Sequence, residues 1–173
     1  MTNRKARRAA QSRARPDSNA NAAASAANAA LARLFAAALD HQKSRRFAEA
    51  ERLYRDVLAR DAGQPGAWSN LASLYRDNGA FDRAAACFAE AIALKPGDFD
   101  LHNGLCSTLI VLGRFDAAAA HYEQLVAYRP DFATGFGSLA VCYLGMGQPE
   151  RALDAIRRSL ALAETLDGRS LFI

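Results

Sequence analysis

Several kinds of site are excluded by what the sequence lacks. Its three cysteines, Cys87, Cys106 and Cys142, are odd in number and far apart. Without a CxxC pair there is neither a disulfide framework nor the usual zinc-ligand spacing. The three histidines, His41, His102 and His121, form no HxxxH pair, so no metal and no cofactor is expected. No nucleophile, base and orienting acid recur in a catalytic arrangement, which makes the chain a non-enzyme by its sequence. Gly135-Phe-Gly137-Ser-Leu-Ala140 matches a dinucleotide-loop pattern, but no strand precedes it, and a helix is expected there. No apolar run approaches the roughly 18 residues of a membrane span, so membrane insertion is not expected. Reduced thiols fit a cytoplasmic protein.

Acidic residues are missing from the first 16 positions, where Arg4, Lys5, Arg7, Arg8, Arg13 and Arg15 gather. These account for the net charge of +4, since the rest of the chain is nearly neutral. Residues 1–20 therefore read as a disordered basic arm without aromatics for base stacking, and no specific nucleic-acid binding is expected. An Ala-rich run, Ala20 to Ala32, follows without a helix breaker and leads into the first helix.

What the sequence does contain is a period. Stepping by 34 residues aligns Leu34, Trp68, His102 and Phe136, then the small residues Ala38, Ala72, Cys106 and Ala140. The turn position reads Arg45, Gly79, Gly113 and Gly147, and the second helix repeats Ala50, Ala84, Ala118 and Ala152. Its larger position reads Tyr54, Phe88, Tyr122 and Ile156, and Pro96 and Pro130 separate successive units. Residues 65–98, with Trp68, Leu71, Ala72, Tyr75, Gly79, Ala84, Phe88, Ala91 and Pro96, carry the pattern most fully. This stretch resembles a tetratricopeptide repeat (TPR), a helix-turn-helix unit of 34 residues. The resemblance implies an all-α fold, a right-handed superhelical solenoid of about four units over 31–64, 65–98, 99–132 and 133–166. The array spans 21–166 and a tail spans 167–173. The Arg-rich start resembles that of bacterial repeat proteins whose repeats precede a glycosyltransferase-like or methyltransferase-like domain, so a recognition module of such a system is the alternative reading.

In the TPR family the first helix of each unit lines a concave groove, which implies a protein or peptide partner. The positions that fall there include Phe35, Leu39, Gln42 and Lys43; Ser69, Asn70, Ser73, Arg76 and Asp77; Asn103, Ser107, Ile110 and Val111; and Thr134, Ser138, Val141 and Leu144. Asn70, Ser73, Arg76, Asp77, Asn103, Ser107 and Ser138 are the polar candidates for contacting a bound peptide, since Asn both donates and accepts and Arg offers a fork. Two resemblances are tested at these positions. The clamp with which chaperone-binding members hold a C-terminal carboxylate would fall on Phe35, Leu39, Asn70, Asp100 and Gly104, and Asn70 alone fits. The asparagine ladder of the repeats ahead of O-linked N-acetylglucosamine transferases likewise keeps Asn70 but not Ala36, Gly104 or Ser138. Leu171, Phe172 and Ile173 make self-association through an uncapped C-terminal end a further expectation.

Overall fold

The structure, a computed structural model, describes residues 18–170, with side chains described from 20 to 164. Most of the basic arm and the expected Leu171 to Ile173 contact lie outside these residues. Eight helices are described: α1 (Ser18–Lys43), α2 (Phe47–Arg60), α3 (Pro65–Asp77), α4 (Phe81–Leu94), α5 (Phe99–Val111), α6 (Phe115–Tyr128), α7 (Ala133–Gly145) and α8 (Pro149–Ser170). No strand occurs among the described residues. The helices fall into two compact units, one ending at Arg60 and the other beginning at Asp61.

Two helix ends depart from the expected boundaries. Because nothing in Ser18-Asn-Ala-Asn-Ala opposes helix, α1 begins inside the expected arm. The last helix continues through Ser170, past the expected repeat end at 166. The membrane expectation also needs correction. Ala20–Lys43, 24 residues containing an 18-residue window of mean hydropathy 1.4, is long and apolar enough to cross a membrane by length and composition. Asn21, Ser25 and Asn28 interrupt the run, but alanine, leucine and phenylalanine outweigh them, and Arg33, Asp40 and Lys43 are its charges. Length and composition thus do not exclude a span.

In the first unit α1 and α2 pack as a hairpin, and Ala38 of α1 and Ala50, Leu53, Tyr54 and Val57 of α2 are buried. Phe35 meets Tyr54 edge-on at 5.9 Å between ring centres. The second unit holds three hairpins, α3/α4, α5/α6 and α7/α8, each packed on the next. Its first helices also touch one another, α3 with α5 and α5 with α7, and so form a continuous layer. Beneath that layer lies a core that includes Cys106, Leu109, Ala118, Tyr122, Leu139, Ala140 and Cys142. Helices of 13 or 14 residues are marginal alone in water, so this stacking is what holds them.

All four hairpin turns close alike. The N–H three places past each first helix reaches back to the carbonyl five places before it, in Arg46 to His41, Ala80 to Tyr75, Arg114 to Leu109 and Gln148 to Tyr143, at 2.8 to 2.9 Å. Such a Schellman closure needs a left-handed residue just before that N–H. Gly79, Gly113 and Gly147 supply it with φ of +74°, +70° and +71°, and in the first hairpin Arg45 adopts +57°.

Candidate functional site

The polar candidates sit on the exposed side of the first-helix layer of the second unit. Asn70, Ser73, Arg76, Asn103, Ser107 and Ser138 are half-buried and Asp77 is exposed. They lie on α3, α5 and α7, whose mutual contact brings them onto one surface. Their chemical states differ. Asn103 Oδ1 accepts a hydrogen bond from the Tyr122 hydroxyl at 3.2 Å, and Ser138 hydrogen-bonds that same hydroxyl. Burial pushes the Tyr122 pKa up, so the phenol stays a donor. Asn103 and Ser138 thus brace a core tyrosine as well as facing outward, a role the sequence reading did not assign. The first unit has a parallel, with the Tyr54 hydroxyl donating to Gln42 Oε1 at 2.7 Å. Ser107 Oγ donates to its own helix at Gly104 O, 3.0 Å away.

On α3, by contrast, Asn70, Ser73, Arg76 and Asp77 have no hydrogen-bond or ion-pair partner among the described residues. Positions 70, 73 and 77 share one helical face, with Arg76 beside it. This is the one stretch of the layer that offers an amide, a hydroxyl, a guanidinium and a carboxylate together, all unengaged. Apolar neighbours follow on α5 and α7, where Val111, Val141 and Leu144 are exposed.

Gly104, expected at a groove position, is buried and serves packing instead. A Cβ there would lie 2.6 Å from the Phe88 ring, so the absent side chain makes room for α4. Asp98 caps α5, accepting from the N–H groups of Asp100 and Leu101. Gly135 to Ala140 lie within α7, so the dinucleotide-like pattern has no loop to form.

The remaining reactive groups are built into the core. All three cysteines are buried, and burial pushes the Cys106 thiol up to about 12 and Cys142 up to about 11, which suppresses the nucleophilic thiolate. No group of three or more potential metal ligands occurs among the described residues.

Two cavities were not foreseen. One of about 430 Å³ lies among α6, α7 and α8, lined by Val126, Phe136, Leu139, Tyr143, Arg151 and Arg158 among others. Across its rim Arg151 bonds Glu123 at 2.8 Å, and it stacks 4.1 Å from the centre of the Tyr143 ring. The other, of about 280 Å³, is lined by Pro96, Phe99, His102, His121, Leu125 and Tyr128. Both include the residue that takes the Trp68 position, His102 in one and Phe136 in the other. A ring smaller than indole at that position was the available signal.

Comparisons with known proteins agree with this architecture. The wheat (Triticum aestivum) Hsp70-Hsp90 organizing protein is 34% identical over 90 residues, which is 52% of this chain and 16% of that protein. The chain thus matches a small part of that relative's length. Among solved structures, a crystal structure of MamA superposes with a TM-score of 0.74 at 20% identity, covering 80% of this chain and 81% of that one. A MamA structure from Desulfovibrio magneticus RS-1 gives 0.72 at 19% identity, covering 76% and 75%. At these identities the structures speak to the fold. The tetratricopeptide-repeat family model matches residues 35–99 and 107–166, and a second model of that name matches 75–133. The chain belongs to the tetratricopeptide-repeat family, and as such it is a protein-binding module and not an enzyme.

Proposed function

We propose that the first-helix layer of the second unit binds an extended peptide segment of a protein partner, with α3 as its polar anchor. The observation that carries this reading is the unengaged set Asn70, Ser73, Arg76 and Asp77 on one side of α3. A peptide backbone presents donors and acceptors that such a set can meet. Arg76 would take a carboxylate or a carbonyl and Asp77 an N–H or a cationic side chain. The exposed Val111, Val141 and Leu144 would take apolar side chains further along. Asn103 contributes less, because its carbonyl oxygen is already held by Tyr122.

The wheat relative's name ties it to Hsp70 and Hsp90. Two features argue against carrying over a chaperone-tail clamp. Asn70 alone matches its residues, and Gly104, packed against Phe88, leaves no room for the long cationic side chain required there. The test is a peptide array probed with the parent and with Asn70→Ala/Arg76→Ala, both at equal helical content. Peptides that bind the parent and not the variant support the reading, and a shared binding profile removes it. Self-association through the C-terminal end belongs to the same proposal.

A further inference from the structure

The repeat register shows which surfaces a neighbouring hairpin covers. On α4, Ala85 and Phe88 are buried and Ile92 is half-buried; on α6, the equivalent Ala119 and Tyr122 are buried and Val126 is half-buried. Each of these helices is followed by a hairpin whose first helix packs against it, α5 on α4 and α7 on α6. The same three positions on α8 are Leu153, Ile156 and Leu160, which are 53%, 38% and 59% exposed. The first helix of that last hairpin shows the same uncovering. Ser107 and Ile110 of α5 are half-buried, whereas the equivalent Val141 and Leu144 of α7 are 47% and 58% exposed. Five large apolar side chains therefore stand where a further helix would lie, and no described residue covers them.

The opposite end of the repeat series is built differently. A first helix that has a hairpin before it buries the positions held by Leu101 and Thr108 in α5, and by Gly135 and Cys142 in α7. In α1 these positions are Arg33 and Asp40, both exposed. Stacking α1 of a second copy onto α8 would bury two unpaired charges, a large cost. Head-to-tail growth is therefore blocked by sequence, while the tail remains apolar.

We infer that two copies of this chain pair tail to tail about a two-fold axis, α8 against α8. Self-pairing fits the stripe because the spacing 153, 156, 160 is the i, i+3, i+7 seam along which helices pair. A two-fold makes one patch serve both sides, so Leu153 of one copy approaches Leu160 of the other, with Ile156 near the axis. Beside the stripe, Asp154 and Arg157 form an exposed pair at 3.4 Å. Both signs are thus present at the rim, and antiparallel copies can exchange partners without like-charge contact. With five apolar residues per copy the interface is small, and the dimer is correspondingly weak. This inference deepens the proposed function by naming the surface and symmetry of its self-association.

The test is sedimentation velocity on the full chain over roughly two decades of concentration. The parent is expected to pass from monomer to dimer and no further. Ile156→Glu/Leu160→Glu should weaken the dimer at least about tenfold, as expected for charges placed at the centre of an apolar contact, with the helical circular-dichroism signal retained. As a second variant, Ile156→Cys should form a covalent dimer under mild oxidation, since the three native cysteines are buried. Asn70→Ala/Arg76→Ala should leave dimerisation unchanged, which separates this inference from peptide binding. A monomer at every concentration, a dimer indifferent to the Ile156 and Leu160 changes, growth beyond dimer, or absence of the Ile156→Cys cross-link would overturn it.

Discussion

Trp68 and His102, one repeat apart, make the same contact. Trp68 Nε1 donates to Ala62 O at 2.9 Å, and His102 Nε2 lies 2.8 Å from Pro96 O, the equivalent carbonyl. The imidazole therefore carries its proton on Nε2, in the place of the indole N–H. A ring larger than imidazole fits beside it, since the adjoining cavity measures about 280 Å³. His102→Trp should keep the bond, fill space and raise stability by roughly 1 kcal/mol. His102→Phe loses the donor and should fall below His102→Trp by about 1 kcal/mol. Trp68→Ala should cost about 2 kcal/mol, less than the roughly 3 to 5 of a fully buried ring, because Trp68 is half-exposed. Urea unfolding of the four chains checks the order.

The first hairpin turn is the strained one. Arg45 at φ +57° does what glycine does in the other three turns, and a side chain there costs about 1 kcal/mol. Arg45→Gly should raise the stability of the first hairpin by about that amount. Gly113→Ala should lose about as much from backbone strain, since nothing lies within 4 Å of the added Cβ. Equal unfolding midpoints for Arg45→Gly and the parent would argue against the strain.

His121 links stability to pH. Burial first, and the neighbouring His102 second, hold its pKa below the ordinary 6.5. The unfolded chain then binds the proton more readily than the folded one. Stability is complete above about 6.5 and falls as pH drops through that value, until the folded histidine also protonates. His121→Gln should flatten the fall between neutral and mildly acidic pH, as read by melting temperature against pH.

Much of this was legible in sequence. The 34-residue period located all four turns, including Arg45 in a glycine's place, because a Schellman closure leaves its mark at one fixed position. The first-helix assignment of Asn70 and Arg76 rests on the same period. Packing decided the rest. Nothing in the sequence shows that Tyr122 reaches Asn103 and Ser138, because that contact joins three helices. Phe88 and Gly104 fit each other by shape, which a repeat alignment cannot weigh.

The close fit at Gly104 can be tested alone. Gly104→Ala places a methyl 2.6 Å from the Phe88 ring and should destabilise by about 1 to 3 kcal/mol, despite the better helix propensity of alanine. Gly104→Ala with Phe88→Leu should recover part of that loss. Additive costs in the double-mutant cycle would show that the two residues do not constrain each other.

The central claim is that α3 supplies the polar anchor for a bound peptide. Its most direct measurement is the affinity of an array-selected peptide for the parent and for Asn70→Ala/Arg76→Ala, by calorimetry. Neither side chain has a hydrogen-bond or ion-pair partner among the described residues, so the double variant should melt within about 1 kcal/mol of the parent. It should bind the peptide more weakly by about 2 kcal/mol or more, as expected if these two side chains carry much of the affinity. A folded double variant that binds the peptide as tightly as the parent would contradict the account and move the site off α3.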